Sequence, residues 1–520
     1  MQFGVKSDMR MKSHLAAATF AAILAAAGCG GKSDKAADAA KEGAGKGDKA
    51  ASAEAGPPSR WASDPFPSTY TPYASKTTVI RGATILTGAG DKIDNGTVVI
   101  ENGKIASVGG ADLAAPEGAV VIDAKGKWVT PGIIDVHSHL GDYPSPQTQS
   151  TSDGNEATAP NTSQVWAEHS VWPQDAGFTR ALAGGITSLQ VLPGSANLFG
   201  GRSAILKNVP SRTVQGMKFP GAPYGLKMAC GENPKRVYGE KGGPSTRMAN
   251  FAGYRAAWIE AAEYKKKWEK YWDEKDAFDK KNGGKKKPAK DAKSEGGDKE
   301  PEAPSRDLKL ETLAMVLNGD ITVNMHCYRG DEMAQVIDMA KEFGYKVTTF
   351  HHAVEAYKVA DLLAENGICA AVWADWWGFK LEAYDSVREN AALVDAQPNG
   401  CTIIHSDDEY GIQRLNQEAG KAMADGNRMG LKITPEHAMK WLTLNPATAL
   451  RVADKTGSLE TGKMADVVIW NANPFSVYAK TEKVFVDGAL LYDASDPKRS
   501  PRMDFEIGQD GQGFTGGSGQ

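Results

Sequence analysis

The 520-residue sequence predicts an α/β protein: a TIM (β/α)8 barrel with a small β-sandwich domain built from both ends of the folded region. Between residues 131 and 450, short β-branched runs alternate with helical patterns, which indicates parallel βα units. About eight such units in roughly 300 residues fit a TIM barrel. Short strands also precede and follow the barrel, at 77–130 and 451–495, and these can pair into the β-sandwich.

The N-terminus reads as an export signal, residues 1–29. A basic stretch at residues 9–12 precedes an apolar run at 15–27, which is too short to span a bilayer. The run ends in Ala26-Ala-Gly-Cys29, which resembles a bacterial lipobox, although Ala26 stands where Leu is preferred. The resemblance makes Cys29 the lipidation site, and Gly30 after it favours the outer membrane. We therefore expect a cell-envelope lipoprotein that faces the periplasm and meets the membrane through its lipid anchor only.

Three further segments are expected to be flexible. Residues 30–76 form a tether, since most of this stretch is Gly, Ala, Lys, Asp and Ser and cannot bury enough apolar surface to offset the entropy of ordering. A charged insertion at about 264–306 interrupts the barrel; its first part extends a helix, and the rest is solvated. The tail, 496–520, is rich in glycine.

Composition excludes several classes of function. The net charge of −4 is too small to indicate nucleic acid as a partner, and acidic residues are interleaved with the lysines of the insertion. The expected partner is a small-molecule substrate. The sequence leaves open whether the chain forms a homo-oligomer. Four of the five cysteines are expected to be buried thiols, because a disulfide framework is unusual in a chain of this size. These are Cys230, Cys327, Cys369 and Cys401.

The most informative stretch is Pro131-Gly-Ile-Ile-Asp-Val-His-Ser-His139. Its apolar run, bounded by Pro131 and Gly132, indicates a buried strand. Side chains alternate along a strand, so His137 and His139 share one face at its end. Imidazole is a standard ligand of Zn²⁺ and similar metals, so the pair predicts a metal site.

Further candidate ligands fall at later strand ends, where the catalytic residues of a TIM barrel sit. Lys227 lies in the fourth predicted strand, and His326 ends the fifth. His351 and His352 end the sixth, and Asp407 follows the eighth. Each alone could be a satisfied polar residue, but together they form a metal-binding pattern in barrel order.

This pattern resembles the amidohydrolase superfamily of metal-dependent hydrolases over residues 77–495. The chain looks most similar to the imidazolonepropionase-related group. Besides the His-x-His stretch, the resemblance rests on four further motifs. These are Ser195-Ala-Asn-Leu-Phe-Gly-Gly201, Leu226-Lys-Met-Ala-Cys-Gly-Glu-Asn-Pro-Lys235, Asn445-Pro-Ala-Thr-Ala449 and Gly457-Ser-Leu-Glu-Thr-Gly-Lys-Met-Ala-Asp-Val-Val-Ile469.

The resemblance implies a divalent metal cofactor, with Zn as first choice and one or two ions. His137 and His139 would bind the more buried ion, and His326 and His352 the second, or the same ion in single-metal members. His352 is preferred because His352-Ala-Val-Glu-Ala is similar to a segment of the family, and His351 is the reserve. Asp407 would touch the metal and act as general base, with Asp408 as the alternative.

Lys227 holds the place of the carbamylated lysine that bridges two ions in many members of the superfamily. Lys207, or Glu232 as a carboxylate ligand, could take that role instead.

The resemblance implies hydrolysis of a carbon–nitrogen bond by a metal-activated water. A dipeptide or an N-acyl amino acid is the expected substrate, and Tyr328 and Arg329 the expected substrate-binding residues. Arg329 would clamp a substrate carboxylate. Ring opening of a cyclic amide and deamination of a small heterocycle are the alternatives, and a tethered scaffold without catalysis is a further one.

Overall fold

Two sheets account for all the strands of the described chain. The computed structural model describes residues 59–61, 64–145, 147–282, 299–376 and 378–500. The predicted export signal, Cys29 and most of the tether lie outside these residues. The strands are β1 (Thr78–Leu86), β2 (Lys92–Glu101), β3 (Lys104–Gly109), β4 (Val120–Asp123), β5 (Trp128–Pro131), β6 (Ile133–Ser138), β7 (Ile186–Val191), β8 (Phe199–Lys207), β9 (Gly225–Ala229), β10 (Thr322–Cys327), β11 (Thr349–His352), β12 (Cys369–Val372), β13 (Thr402–Ile404), β14 (Val467–Trp470), β15 (Thr481–Val486) and β16 (Ala489–Asp493).

The first sheet is the predicted barrel, with β6 to β13 side by side in chain order. Seven of its eight strands run in one direction, but β8 is antiparallel to both of its neighbours. The prediction of uniform parallel units was therefore wrong at this strand. The reason is the short connection from Val191 to Phe199, since a parallel crossover needs a dozen or more residues.

In the described residues, ten α-helices surround the strands or connect them. No helix in the part of the chain that the structure describes is long and apolar enough to cross a membrane. The charged insertion begins in the long third helix, as expected, and residues 283–298 are not among the described residues. The helices are α1 (Ala176–Ala183), α2 (Glu232–Tyr238), α3 (Arg247–Lys281), α4 (Leu308–Asn318), α5 (Gly330–Phe343), α6 (Ala360–Glu365), α7 (Asn390–Asp395), α8 (Leu415–Met429), α9 (Pro435–Ala438) and α10 (Leu444–Ala449).

The second sheet joins the two ends of the folded region. Its strands come from before and after the barrel, in the order β16-β15-β14-β5-β1-β2-β3, with β4 paired to β1. The junction is the antiparallel pair β5–β14, in which Pro131 lies opposite Val467. One apolar cluster packs on this sheet and includes Ile80, Val98 and Phe485. The arrangement of these strands as a two-layer sandwich goes beyond this pairing and stays a prediction.

Residues 64–76, which the sequence assigned to the tether, contact the folded unit. The Tyr70 hydroxyl donates to Asp487 over 2.5 Å, and the Tyr73 hydroxyl donates to the carbonyl of Pro210 over 2.6 Å. The aromatic residues therefore anchor a stretch that composition alone placed outside the fold.

The expectation of four free buried thiols was wrong. Cys230 is bonded to Cys327, and Cys369 to Cys401. Each pair is far apart in sequence, but it lies at matching ends of adjacent strands, β9–β10 and β12–β13. Neighbouring strands bring the Cα atoms to 5.2 Å and 4.5 Å, within the range that a disulfide spans.

Candidate metal centre

His137 and His139 lie at the C-terminal end of β6, as the sequence predicted. Asp135 on the same strand accepts hydrogen bonds from the backbone N–H groups of His137 (3.1 Å) and Ser406 (3.3 Å). It also accepts one from the Ser406 hydroxyl. Asp135 is fully buried, and burial raises its pKa to about 7 despite these bonds. It thus ties the first strand of the barrel to the segment that follows the last strand.

The orientation of the His139 ring turns Nε2 toward Asp407 and the rest of the cluster. Its Nδ1 lies 2.8 Å from the carbonyl oxygen of Leu192, just after β7. A carbonyl can only accept, so Nδ1 carries the proton and Nε2 presents its lone pair. A second hydrogen bond of this kind is what fixes the tautomer of a metal-binding histidine.

Asp407 lies against both of these rings. Its Oδ1 is 3.2 Å from Nε2 of His137 and 3.2 Å from Nε2 of His139. The Asp407 backbone is left-handed, with φ of +62°, and its N–H donates to the carbonyl of His137 over 2.9 Å. Burial alone would raise the pKa of Asp407, but its interactions with His352 and His139 outweigh burial and hold it below the usual range. The carboxylate is therefore ionised in the site.

His352 and His326 complete the predicted histidine set. The centre of the His352 ring is 4.6 Å from that of His137 and 4.6 Å from that of His326. Burial lowers the pKa of both His326 and His352 well below the usual value, so both imidazoles are neutral. Among the described residues, neither ring nitrogen of His326 has a hydrogen-bond partner, and Nδ1 of His352 has none either.

His405 is a member of the cluster that the sequence analysis did not select. Ligand atoms of His137, His352 and His405 lie within 4.8 Å of one another, as do those of His137, His139 and Asp407. Both nitrogens of the buried His405 ring lack a partner, and burial lowers its pKa to about 3. The signal was its position two residues before Asp407, at the end of a predicted strand.

Lys227 also lies at the cluster, and its two alternatives do not. The ammonium nitrogen of Lys227 is 3.2 Å from Nε2 of His137, and burial lowers the pKa of Lys227 to about 7. Lys207 is instead bound by Asp466, with 2.9 Å between Nζ and Oδ1. Glu232 is 3.5 Å from Lys380. Of the three candidates for a bridging ligand, Lys227 alone contacts one of the clustered histidines.

The reserve residues His351 and Asp408 have other partners. His351 Nδ1 lies 2.9 Å from Nδ1 of His137, and its Nε2 lies 3.1 Å from Oδ1 of Asn324. Asp408 accepts from the backbone N–H groups of the next turn, at Tyr410 and Gly411. The structure thus brings His352 and Asp407, the first choices, into the groups of side chains that could hold a metal ion.

The cluster fits a divalent cation. Buried polar atoms nearly always have a hydrogen-bond partner, so five buried ring nitrogens without one, on His326, His352 and His405, need an explanation. Neutral imidazoles and a carboxylate are the donors that Zn²⁺ and similar ions take. An ion between these side chains would satisfy the unpaired nitrogens.

Comparison with known proteins agrees with this geometry. The family model described as "Amidohydrolase family" matches residues 128–491. The chain belongs to the amidohydrolase family. Membership agrees with a hydrolase that acts on carbon–nitrogen bonds.

Three relatives illustrate the breadth of the similarity. The chain is 30% identical over 457 residues to the amidohydrolase tasK of Hapsidospora irregularis, covering 82% of this chain and 44% of that protein. It is 27% identical over 215 residues to the imidazolonepropionase of Streptococcus sanguinis strain SK36, covering 36% of this chain and 49% of that one. The chain thus spans less than half the length of both curated relatives. A crystal structure of an amidohydrolase from Thermotoga maritima MSB8 is 34% identical with a TM-score of 0.68, covering 80% of this chain and all of that one.

The two predicted substrate-binding residues of this amidohydrolase differ in their placement. The ring of Tyr328 lies 4.9 Å from His326 and 5.4 Å from His352. Arg329 is half exposed, and its Nε donates to Asp331 over 2.9 Å. Arg329 is thus paired with a carboxylate of its own chain at the start of α5, and its role as a clamp for a substrate carboxylate stays a prediction.

An aromatic wall borders the histidines on the side of β12. The Trp373 ring centre lies 4.3 Å from that of His352, and Trp376 stacks on Trp373 at 5.9 Å. Lys380 stands 4.0 Å from the centre of the Tyr328 ring, with Glu232 and Glu382 each 3.5 Å from its ammonium. Glu232 and Glu382 therefore offset the positive charge of Lys380.

Proposed function

We propose that this chain is a metal-dependent amidohydrolase that cleaves a carbon–nitrogen bond of a small substrate. The observation that carries the proposal is the clustering of histidine nitrogens with one another and with the Asp407 carboxylate, within 4.8 Å in each of two groups. His137, His139, His352 and His405 would hold the cation together with Asp407, and His326 and Lys227 stand beside them. A zinc ion is the first choice among divalent metals for these donors.

Each side chain has a defined part in the hydrolysis. A divalent cation bound here would lower the pKa of a water from ~16 toward ~7 and polarise the carbonyl under attack. Asp407 accepts the proton of the attacking water and delivers it to the leaving nitrogen. The water oxygen bonds to the carbonyl carbon, the C–N bond breaks, and the amine leaves neutral. The Trp373 ring packs against His352 on one side of the cluster.

The substrate class that we propose is a dipeptide or an N-acyl amino acid. Opening of a cyclic amide is the second candidate, and the similarity to an imidazolonepropionase supports it. The same similarity supports membership of the imidazolonepropionase-related group. Deamination of a heterocycle would differ from both by releasing ammonia.

The test uses the full chain loaded with Zn²⁺ and a mixed panel of dipeptides, N-acyl amino acids and cyclic amides. Release of a primary amine from the linear compounds, lost on chelation, is the expected result. Products from cyclic compounds alone would move the protein to the ring-opening class. A blank panel with metal bound would overturn the proposal and favour a scaffold.

A matched pair of variants assigns the base. Asp407→Asn should lower kcat by about 100-fold or more, because general base catalysis contributes 10²–10⁴-fold. Asp408→Asn should retain most of the activity, since Asp408 caps the next turn. Equal losses in the two variants would contradict the role of Asp407.

We also propose that the protein is a lipoprotein of the cell envelope, anchored at Cys29. The two disulfides support this, because disulfides persist in oxidising compartments such as the periplasm. Cys29→Ser should move the protein from the membrane fraction to the soluble fraction of a cell lysate. A membrane-bound Cys29→Ser protein would contradict the anchor.

A further inference from the structure

A polar cavity of about 570 Å³ opens beside the C-terminal ends of β6 and β7. Pro193, which follows β7, and Asp142, three residues after His139, both line it. The other lining residues belong to two segments of the loops between β6 and β7: Ser152, Asp153, Gly154, Asn155 and Glu156, and Gln164, Val165, Trp166, Ala167, His169 and Ser170.

The cavity adjoins the metal centre through a single aromatic ring. The Tyr143 ring centre is 5.6 Å from that of His139. At its other edge, the Tyr143 hydroxyl accepts from Nδ2 of Asn155 over 2.5 Å. The backbone N–H of Asp142 donates to the carbonyl of His139 over 3.0 Å. The Tyr143 ring therefore lies between His139 and Asn155, a residue of the cavity wall.

Two hydrogen-bond acceptors in the cavity wall have no donor. Asp142 is fully buried; its Oδ1 accepts from the Ser170 hydroxyl over 2.9 Å, but its Oδ2 has no partner. The amide oxygen of Gln164 also lacks a partner. A carboxylate at this depth is costly unless it is paired with a cation, and an amide oxygen needs an N–H or O–H donor.

The charges of the wall have one sign. Among the described lining residues, Asp142, Asp153 and Glu156 carry carboxyl groups, and none is a lysine or an arginine. Burial raises the pKa of Asp142 well above its usual value, and a cation paired with Asp142 would favour its ionised form. Asp153 and Glu156 are exposed at the rim, and Asp142 lies at the base. A negative cleft with low-dielectric walls attracts cations from solution.

We propose that this cavity binds a cationic nitrogen group of the substrate, a protonated amine or a guanidinium, with Asp142 as its principal partner. The inference rests on the proposed function and narrows the substrate class. The N–H donors of the cation satisfy Oδ2 of Asp142 and the amide oxygen of Gln164, and the carboxylates of the rim steer it in. The bond to be cleaved then lies at His139 and Asp407, on the other side of the Tyr143 ring.

Binding of a small cation tests the cavity without any turnover. Benzamidine, a cation at neutral pH, and its neutral analogue benzamide would be titrated calorimetrically into the full chain, both zinc-loaded and chelated. The expected result is affinity for benzamidine at least about 10-fold higher than for benzamide in both forms, because charged hydrogen bonds are the stronger ones. Equal affinities would overturn the inference.

Variants with effects of opposite sign guard against misfolding. Asp142→Asn should remove the preference for benzamidine, and Gln164→Glu should increase affinity for it several-fold by adding a second buried charge. Asp94 is an exposed residue on β2, and Asp94→Asn should change the affinity for neither ligand. A gain in Gln164→Glu cannot arise from an unfolded protein. An unchanged preference in Asp142→Asn, or no gain in Gln164→Glu, would refute the assignment.

Turnover separates this inference from the proposed function. The expected kcat/KM for the dipeptide Ala-Lys exceeds that for Ala-norleucine by at least about 10-fold, and Asp142→Asn abolishes the difference mainly through KM. Turnover of both dipeptides at equal rates would remove the cation subsite but leave the hydrolase. Tight benzamidine binding with no hydrolysis of any compound would leave the subsite and remove the proposed reaction.

Discussion

At His352 the strand β11 ends in a backbone conformation that strands do not adopt. Its φ is +68°, and Ala353 after it has φ of +36°. Left-handed backbone at a residue other than glycine costs of order 1–3 kcal/mol and clusters at functional sites. Here it brings the His352 ring beside His137 while His351 stays paired with Asn324. Two adjacent histidines thus take different tasks because of one backbone turn.

Metal content tests directly whether His352 is a ligand. His352→Ala should lower zinc affinity by more than about 10-fold, since even residues that only support a ligand cost 10–100-fold. His437→Ala, which removes an exposed ring paired with Asp395, should keep full metal content. The measurement is bound zinc after dialysis against a weak chelator. Full occupancy in His352→Ala would show that it is no ligand.

Sequence reasoning succeeded at this scale where position on a strand fixes direction, and does not reach positions where a loop decides. The alternation of a strand is enough to put His137 and His139 together, and strand ends place His326, Lys227 and Asp407. Strand position does not fix the direction of Arg329, whose side chain pairs with Asp331 at the start of α5, so its substrate-binding role stays a prediction. His405 was passed over because a lone histidine carries no pattern.

Among the elements, the N-terminal turn of α5 contains an unusual buried carboxyl group. Glu332 is fully buried and neither of its oxygens has a hydrogen-bond partner. Burial, followed by the nearby Glu382, raises the pKa of Glu332 to about 7 from its usual 4.5. In the unfolded chain Glu332 would ionise near pH 4.5. The stability that this group contributes is therefore fully present below pH 4.5 and is lost as the pH rises toward about 7.

Glu332→Gln should therefore stabilise the protein more at pH 8 than at pH 5. The expected difference is roughly 2–3 kcal/mol in the free energy of unfolding, because the pKa of Glu332 rises from its usual 4.5 to about 7 and part of the effect is already present at pH 5. Urea unfolding of variant and parent at both pH values measures it. Glu342→Gln, on the exposed face of the same helix, is the control and should show no such trend. A pH-independent difference for Glu332→Gln would contradict the buried acid.

The two disulfides join neighbouring strands at opposite ends of the barrel. Cys230–Cys327 lies at the C-terminal ends of β9 and β10, beside the metal centre, and Cys369–Cys401 lies at the N-terminal ends of β12 and β13. Cys327 follows His326 directly, and the Cys230 N–H donates to the carbonyl of His326 over 2.9 Å. Cysteine spacing could not reveal the pairing, because strand adjacency, unlike strand content, is set by tertiary structure. The same limit hid the direction of β8, which depends on the length of one loop.

Loss of either disulfide should destabilise the protein, by about 2–5 kcal/mol. The Cys230–Cys327 bond spans 97 residues and Cys369–Cys401 spans 32. Chain entropy makes the longer loop worth about 1 kcal/mol more. Urea unfolding of the Cys230→Ser/Cys327→Ser and Cys369→Ser/Cys401→Ser proteins gives the comparison. If all four thiols titrate freely in the oxidised native protein, the pairing is wrong.

The whole molecule depends on the joint between the barrel and the second sheet, which the sequence predicted only in outline. Strands from both chain ends were expected to meet, and the β5–β14 pair joins them. The sequence could not show that Lys207, a candidate metal bridge, belongs to this joint. It ends barrel strand β8, and its ammonium lies 2.9 Å from Asp466 and 3.2 Å from Asp487, at the edges of β14 and β15.

Lys207→Met should unfold the protein more readily without touching the metal centre. The lysine and both carboxylates are almost fully buried, so the substitution leaves two uncompensated charges and should cost about 3–5 kcal/mol. Lys92→Met, which breaks the exposed Lys92–Asp94 pair, should cost no more than about 1 kcal/mol. Zinc content at a temperature where Lys207→Met is still folded should match the parent, because Lys227 rather than Lys207 lies beside His137. Zinc lost together with stability would instead return Lys207 to the ligand set and make the joint part of the metal centre.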